Sequence, residues 1–260
     1  MVKLTMRSLQ TVLSRLVGLV YLIWMLFATP AIAVPNWSYE GSSDPGHWSE
    51  LQSDYALCAA GQAQSPINLR SQDLSRDHET LSIDYHPAPL DEVNNGRTLT
   101  MNYAAGNSLA LNNQTYELVQ FHFHAPSEHL IDNKASAMEL HLVHKNAANE
   151  LAVLGVMIQP GATNPLLDEL WQNMPVVEEE NIPQLEIDVN SLLPRDRSFY
   201  HYQGSLTTPP CSESVNWAIL KQPIQASRQQ INTFKSRFHA NARPVQALNH
   251  RTIQFSDSLS

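Results

Sequence analysis

The sequence predicts a mixed α+β domain that is mainly β, with short helices at its periphery. Most apolar residues fall in short runs, continuous or alternating with polar residues, and turn residues such as Asn and Gly separate the runs. Helical periodicity is restricted to two segments. No linker, repeat or low-complexity stretch divides the chain, so we expect a single domain.

The predicted strands lie at 99–103, 108–111, 118–125, 138–145 and 151–158, with turns at 94–96 and 112–113. Short strands separated by such turns are typical of antiparallel meanders. The chain also has sixteen prolines against nine glycines, which indicates many conformationally fixed loops.

The two predicted helices span 165–173 and 226–238. In the second, Ile231, Phe234 and Phe238 recur at helical spacing and form one apolar stripe. A helix with a single apolar stripe buries only that side, so we expect both helices at the periphery of the sheet.

The N-terminal residues have the features of a secretory signal peptide. Three basic residues and an apolar run at 16–28 precede Ala31-Ile32-Ala33, which has the small-x-small form of a signal peptidase site. The run is only about half as long as a membrane-spanning helix requires, which favours cleavage over the alternative of a retained anchor. We therefore expect a signal peptide at 1–33 and an exported domain at 34–260, periplasmic or extracellular and not attached to a membrane.

The exported part is acidic. The whole chain of 260 residues has 16 Lys and Arg against 25 Asp and Glu, and three of the basic residues lie in the signal segment, which leaves a formal charge of −12. Such a surface argues against nucleic acid or anionic lipid as partners. In an exported protein the isolated pair Cys58 and Cys211 favours a disulfide, with two buried free thiols as the alternative.

Two strands carry a histidine pattern typical of a metal site. Side chains alternate along a strand, so His122 and His124 share one face, as Glu139 and His141 do in the next strand. His144 lies on the opposite face and is predicted to be structural. If the strands are neighbours, three imidazoles can bind one Zn²⁺ and leave its fourth position open, as in catalytic zinc sites. The alternative is that each histidine is an ordinary hydrogen-bonded residue.

Five motifs together resemble the α-class carbonic anhydrases in order and spacing: Gln64 to Asn68, Gln120 to His124, Ser127 to His129, Glu139 to His144, and Ser205 to Cys211. The resemblance runs from about Trp37 to Gln254. It includes the cysteine pair of the exported bacterial, algal and plant members.

The resemblance implies a large, mostly antiparallel twisted β-sheet with one zinc ion at the bottom of a conical cleft. It also implies a carbonate dehydratase, a zinc lyase that hydrates CO₂ reversibly to bicarbonate and a proton by attack of zinc-bound hydroxide. The implied zinc ligands are His122, His124 and His141.

The resemblance further implies roles for residues around the zinc. Thr207 would accept a hydrogen bond from the zinc hydroxide, Glu128 would accept the proton of Thr207, and Thr208 would contact bicarbonate. The apolar wall beside CO₂ would include Val143, Val153, Leu206 and Trp217.

The other ring nitrogen of each ligand needs a partner as well. Gln120 and Glu139 each precede a predicted ligand by two residues on the same face, so we predict that each accepts its N–H. The remaining ligand, His124, would use a backbone carbonyl near Asn241.

Position 97 departs from the family pattern. Fast members place a proton-shuttling histidine there, whereas this chain has Arg97, which stays protonated and cannot act as a shuttle. We therefore hypothesise that turnover is limited by proton transfer and depends on external buffer. Tyr39 and Asn95 would keep part of a water chain, and another histidine such as His47 is an alternative shuttle.

Two other functions stay open from the sequence: a catalytically silent carbonic-anhydrase-like binding protein, and a zinc esterase. The three intact ligands favour the enzyme. We expect a monomer or weak dimer whose partner is a small-molecule substrate. Asn36 and Asn113 begin formal glycosylation motifs, which matter only in a eukaryotic secretory host.

Overall fold

A large twisted sheet forms the centre of the protein. The computed structural model describes residues 37–76, 78–175 and 180–257, and only the backbone for 180–184. Within these residues the strands are β1 (Asn68–Leu69), β2 (Leu74–Arg76), β3 (Leu81–Asp84), β4 (Ala88–Asn94), β5 (Leu99–Tyr103), β6 (Ser108–Leu111), β7 (Gln114–His124), β8 (Leu130–Ile131), β9 (Lys134–Ala135), β10 (Met138–Lys145), β11 (Leu151–Pro160), β12 (Glu180–Ile187), β13 (Phe199–Ser205), β14 (Glu213–Ala226) and β15 (Ile253–Ser256).

The main sheet has the order β12-β4-β5-β7-β10-β11-β14-β13-β15-β2, and β3 and β6 extend it beside β7. Most neighbours are antiparallel, which confirms the predicted fold class. Two pairs, β11 with β14 and β15 with β2, are parallel. A parallel pair needs a long crossover, and the chain between β11 and β14 includes a helix and two other strands. A separate small sheet has the order β1-β8-β9.

Several predicted strands coincide with the observed ones. The segments 99–103, 108–111 and 138–145 are β5, β6 and β10. The predicted 118–125 lies in the longer β7 except for Ala125, since β7 ends at His124, and 151–158 extends to Pro160 in β11. β7 begins earlier because it forms a hairpin with β6. At the hairpin turn Asn112 and Asn113 have φ values of 52° and 64°, a left-handed conformation that Asn tolerates well.

The helices are α1 (Trp48–Leu51), α2 (Leu57–Ala60), α3 (Pro165–Asn173) and α4 (Arg228–Phe238), and short 3₁₀ helices lie at Gly41–Ser43, Ser53–Tyr55, Ser71–Asp73 and Val189–Leu192. The prediction for α3 is confirmed. Helix α4 begins two residues later than expected because Ala226 ends β14 and Ser227 caps the helix. Ser227 and Gln230 form a capping box that satisfies backbone N–H groups at the helix start.

The strand alternation separates two hydrophobic clusters on the faces of the sheet. Phe121 and Phe123 are fully buried in the cluster that includes the apolar side of α4. The Phe234 ring of α4 packs 6.1 Å from that of Phe123. The opposite cluster contains Val153 and Trp217. The face of β7 that carries the histidines is therefore the face that α3 and α4 leave uncovered.

All described residues belong to one compact unit, as the single-domain prediction requires. Among them no helix is long and apolar enough to span a membrane. The predicted signal peptide at 1–33 and the glycosylation acceptor Asn36 lie outside the described residues, so they stay predictions.

Candidate metal centre

The register of β7 and β10 brings three histidines together. These strands are antiparallel neighbours, with His141 opposite His122 and Glu139 opposite His124. One ring nitrogen from each of the three histidines lies within 4.8 Å of the others. Their ring centroids are 4.6 to 5.4 Å apart. The three side chains therefore converge on one point.

The other nitrogen of each ring is held by a hydrogen-bond acceptor. The His122 Nδ1–H donates to Gln120 Oε1 at 2.8 Å and the His124 Nδ1–H to the Asn241 carbonyl at 2.7 Å. The His141 Nε2–H donates to Glu139 Oε1 at 2.9 Å. An imidazole whose one nitrogen is a donor is an acceptor at the other. His122 Nε2, His124 Nε2 and His141 Nδ1 are thus the nitrogens available to a metal.

Burial keeps these rings neutral. Loss of hydration lowers the pKa of His122 well below its usual range and that of His124 to about 4. The pKa of His141 is lowered too, since burial outweighs the nearby Glu139. The His124 Nε2 is buried and makes no hydrogen bond within the described part of the chain. A neutral, buried and unpaired ring nitrogen fits a metal ligand.

Glu139 is a fully buried carboxylate with four donors. Its Oε2 accepts the backbone N–H groups of Glu128 (2.8 Å) and His129 (2.9 Å), and its Oε1 accepts from the rings of His129 (2.7 Å) and His141. Burial would raise the pKa of Glu139, but the interactions with His129 and His141 outweigh it and hold the pKa well below the usual range. The orientation of His141 therefore depends on an ionised carboxylate.

His129 connects the Glu139 carboxylate to Tyr202 in β13. Its Nε2 accepts from the Tyr202 hydroxyl at 2.6 Å, and the Tyr202 hydroxyl also lies 2.8 Å from Ser65 Oγ. His129 belongs to the Ser127 to His129 motif, but that motif by itself predicts no role for it. The only signal for it was Glu139, because a buried carboxylate requires several donors.

Glu128 lies beside the convergence point of the histidines. Its Oε1 accepts the backbone N–H of Arg243 at 2.8 Å, and its Oε2 is 3.9 Å from His141 Nδ1. Burial raises the pKa of Glu128 to about 7, although His141, the Arg243 N–H and the hydroxyl of Thr207 each lower it. Thr207 is also buried. In this structure Glu128 Oε2 accepts no hydrogen bond of ordinary geometry from the described residues.

An apolar wall borders the histidines. Val153 and Trp217 are opposite each other in the parallel pair β11–β14 and are buried, and Val143 and Leu206 pack against their cluster. The Trp217 ring lies 4.9 Å from that of His141, and its Nε1–H donates to the Ser205 carbonyl at 3.0 Å. The indole is thereby fixed beside the site.

Thr208 follows Thr207 and is partly buried. Its carbonyl accepts the N–H of Cys211 at 2.8 Å. Cys211 and Cys58 form a disulfide, which confirms that prediction over the alternative of free thiols. The disulfide joins the loop after Thr208 to α2.

Of the residues predicted for the proton path, Tyr39 is partly buried, whereas Asn95 and His47 are exposed. Burial raises the pKa of Tyr39 well above the usual range, and the charge of Glu128 adds to this effect. Asn95 is exposed, and its Oδ1 accepts the N–H groups of Arg97 and Thr98, both at 2.9 Å. The Asn95 side chain therefore stabilises its own turn. His47 is exposed and pairs with Asp44 at 2.8 Å.

Sequence reasoning missed Arg243, which is almost fully buried. Its guanidinium donates to the Cys58 and Ser65 carbonyls and to Gln64 Oε1 at 2.7 to 2.9 Å. Its backbone N–H binds Glu128, so one residue connects the disulfide region with the site. A single arginine in a loop gives no sequence signal of burial.

Comparisons with known proteins agree with this geometry. Residues 43–257 match the family model described as eukaryotic-type carbonic anhydrase. The chain is 44% identical to a carbonic anhydrase of Pectobacterium atrosepticum over 87% of this chain and 93% of that protein. It is 45% identical to one of Nostoc over 84% of this chain and 85% of that protein. A solved α-carbonic anhydrase of Thermovibrio ammonificans in complex with sulfanilamide superposes with a TM-score of 0.83 at 38% identity, and covers 85% of this chain and 100% of its own.

Proposed function

This chain belongs to the eukaryotic-type (α-class) carbonic anhydrase family, and on that basis we propose that it hydrates CO₂ reversibly with one Zn²⁺ bound by His122, His124 and His141. The observation that carries the proposal is the convergence of three neutral imidazoles, each with its other nitrogen already bonded. Three nitrogen ligands suit Zn²⁺ and leave room for a reacting molecule. The bound ion supplies Lewis acidity that ionises a water molecule near neutral pH, for which carbonic anhydrases are the standard example.

Gln120, the Asn241 carbonyl and Glu139 fix the tautomer and the direction of the three rings. An acceptor on the far nitrogen also makes the near nitrogen a better donor to a metal. Glu139 differs from the other two because it is charged, so His141 is the most strongly polarised ligand.

Thr207 and Glu128 select and orient the nucleophile. When the Glu128 carboxylate accepts the Thr207 hydroxyl proton, the Thr207 oxygen is left as an acceptor. Only a molecule that can donate a hydrogen bond is then stabilised beside it. Glu128 would be held in its ionised form if a dication were bound by the three histidines, because a nearby positive charge lowers the pKa of a carboxyl group.

CO₂ has no net dipole and binds by apolar contact. The wall of Val143, Val153, Leu206 and Trp217 offers such a surface next to the ligands. Thr208 is close in sequence to Thr207 and supplies polar contact to bicarbonate.

Each hydration releases one proton, which must reach solvent. Arg97 cannot relay it, because a guanidinium stays protonated at any accessible pH. Turnover is therefore limited by proton transfer and rises with the concentration of external buffer. Tyr39 helps to order the water through which the proton leaves.

Stopped-flow CO₂ hydration across a buffer series tests this function. We expect activity that is lost on chelation, restored by zinc and increased by buffer, and that falls strongly in Thr207→Ala. High activity that is independent of buffer would keep the enzyme but refute the proton limit. Stoichiometric zinc without activity would instead support the silent binding protein, and ester hydrolysis without CO₂ hydration would support the esterase.

The protein is exported with loss of residues 1–33, and it acts as a monomer or weak dimer. The support for export is the leader pattern together with the disulfide, which persists in oxidising compartments. Mass spectrometry of the secreted protein should find Val34 as the first residue.

A further inference from the structure

An aromatic cluster of three rings lies near the beginning of the described part of the chain. Trp37, Tyr39 and Trp48 lie with centroids 5.3 to 5.9 Å apart in edge-to-face arrangements. Trp48 is fully buried, and its Nε1–H donates to the Ser38 carbonyl at 2.8 Å. Edge-to-face contacts fix relative ring positions, so the place of Tyr39 depends on both tryptophans.

Two guanidinium groups cap this cluster. The Arg97 Cζ lies 4.4 Å from the centroid of the Trp37 ring, and the Arg243 Cζ lies 5.6 Å from that of Trp48. Both distances are in the range of cation–π attraction, which is strongest for tryptophan. The cluster is therefore held on two sides by permanent charges.

The backbones of both arginines are bonded to the candidate metal centre. The Arg97 carbonyl accepts from Asn241 Nδ2 at 3.1 Å, and the Asn241 carbonyl accepts from His124. The Arg243 N–H donates to Glu128. Each arginine therefore contacts the aromatic cluster through its guanidinium group and the residues around the candidate metal centre through its backbone.

We propose that Arg97 is a positioning residue: through its contact with Trp37 it holds Tyr39 in its place within the aromatic cluster. The inference rests on the proposed function, because Tyr39 is assigned there to the proton path. Arginine suits this task since its charge is permanent and its planar group stacks on indole. At position 97 the chain therefore has a residue that fixes the aromatic cluster, in place of a histidine that relays protons.

An Arg97→His variant makes two changes at once. A histidine adds a titratable group but removes the permanent charge that holds Trp37. Its effect on turnover at low buffer is therefore the sum of a gain and a loss, and it must be read beside Arg97→Gln, which has only the loss.

We call the contact of the Arg97 guanidinium with the Trp37 ring the clamp. A double-mutant cycle between Arg97 and Trp37 tests it, with zinc-loaded protein obtained by expression of the full chain. At low buffer we expect kcat to fall about two- to tenfold in Arg97→Gln and in Trp37→Leu, as the strength of one cation–π contact implies. The double variant should fall no further than either single variant. Arg97→Lys should recover part of the loss, and kcat/KM for CO₂ should stay unchanged in all of them.

Near-ultraviolet circular dichroism gives a readout that needs no activity. The aromatic signal of the apo and zinc-loaded protein should decrease in Arg97→Gln as it does in Trp37→Leu. The matched control is Lys221→Gln, which removes the contact of Lys221 with the Phe255 ring at 5.0 Å and should leave kcat at low buffer unchanged.

Additive losses in the double variant, or an unchanged aromatic signal in Arg97→Gln, would overturn the clamp. It would also be overturned if Arg97→Gln raised only the KM for bicarbonate while Trp37→Leu had no effect, because Arg97 would then act as an anion-attracting charge. If the proposed function fails, the wild type has no zinc-dependent hydration at all, whereas the dichroism still reports on the clamp.

Discussion

Glu92 is a buried carboxylate whose replacement should change how stability depends on pH. It lies on the core face of β4 between Leu90 and Asn94 and has no exposed surface. Neither of its carboxylate oxygens has a hydrogen-bond partner among the described residues. Loss of hydration raises the pKa of Glu92 from 4.5 to about 7, with no charge among the described side chains to offset it.

The sign and size of the effect follow from linkage. The native pKa exceeds the unfolded one, so between these values the native protein binds the proton more tightly. Below pH 4.5 Glu92 is protonated in both states and does not lower the free energy of unfolding. As the pH rises from there to about 7, the free energy of unfolding falls. The slope is about 1.4 kcal/mol per pH unit, and the whole loss over this range is about 3 to 4 kcal/mol.

Urea unfolding of wild type, Glu92→Gln and Glu92→Met at several pH values between 4 and 8 measures this term. Both variants should gain stability relative to wild type as the pH rises, and Glu92→Met should gain more because it also removes an unpaired polar group. Asp91→Asn is the matched control, because it removes a carboxylate from the same strand on the opposite face. If the stability difference between wild type and Glu92→Gln is the same at every pH, the reasoning is wrong.

Three further predictions concern the core, the disulfide and the metal. Tyr85→Phe removes the donor at 2.6 Å from the buried His144 Nε2, so the free energy of unfolding should fall by about 1 to 3 kcal/mol; an unchanged urea midpoint would contradict this. Cys58→Ser should lower the melting temperature under oxidising conditions, with a loss of up to ~5 kcal/mol for so long a loop, and should have no effect under reducing conditions. Gln120→Ala leaves His122 without its acceptor and should weaken zinc affinity by about 10- to 100-fold in a competitive chelator titration.

The sequence predicted well those features that depend on neighbouring residues. Strand alternation assigned His122 and His124 to one face, and the Asn112-Asn113 turn and the helix at Pro165–Asn173 followed from local conformational preferences. The family resemblance added the fold and the expected role of each site residue. The strands β13 and β14, by contrast, lie outside the predicted segments.

The assembly of the site depends on contacts between distant parts of the chain. His141 meets His122 only through the register of β7 and β10, and Trp217 reaches His141 only through the parallel pairing of β14 with β11. Arg243 contacts Glu128 across 115 positions of sequence. A local pattern contains no information on which partner a strand takes.

The sequence by itself determined which side chains share a face, because the period of a strand is a property of consecutive residues. The tertiary structure alone decided which faces meet: it brought Arg97 over Trp37, the disulfide beside Arg243, and a carboxylate at Glu92 into the core. These features arise from packing, in which the free energy depends on all neighbours in space rather than on the neighbours along the chain.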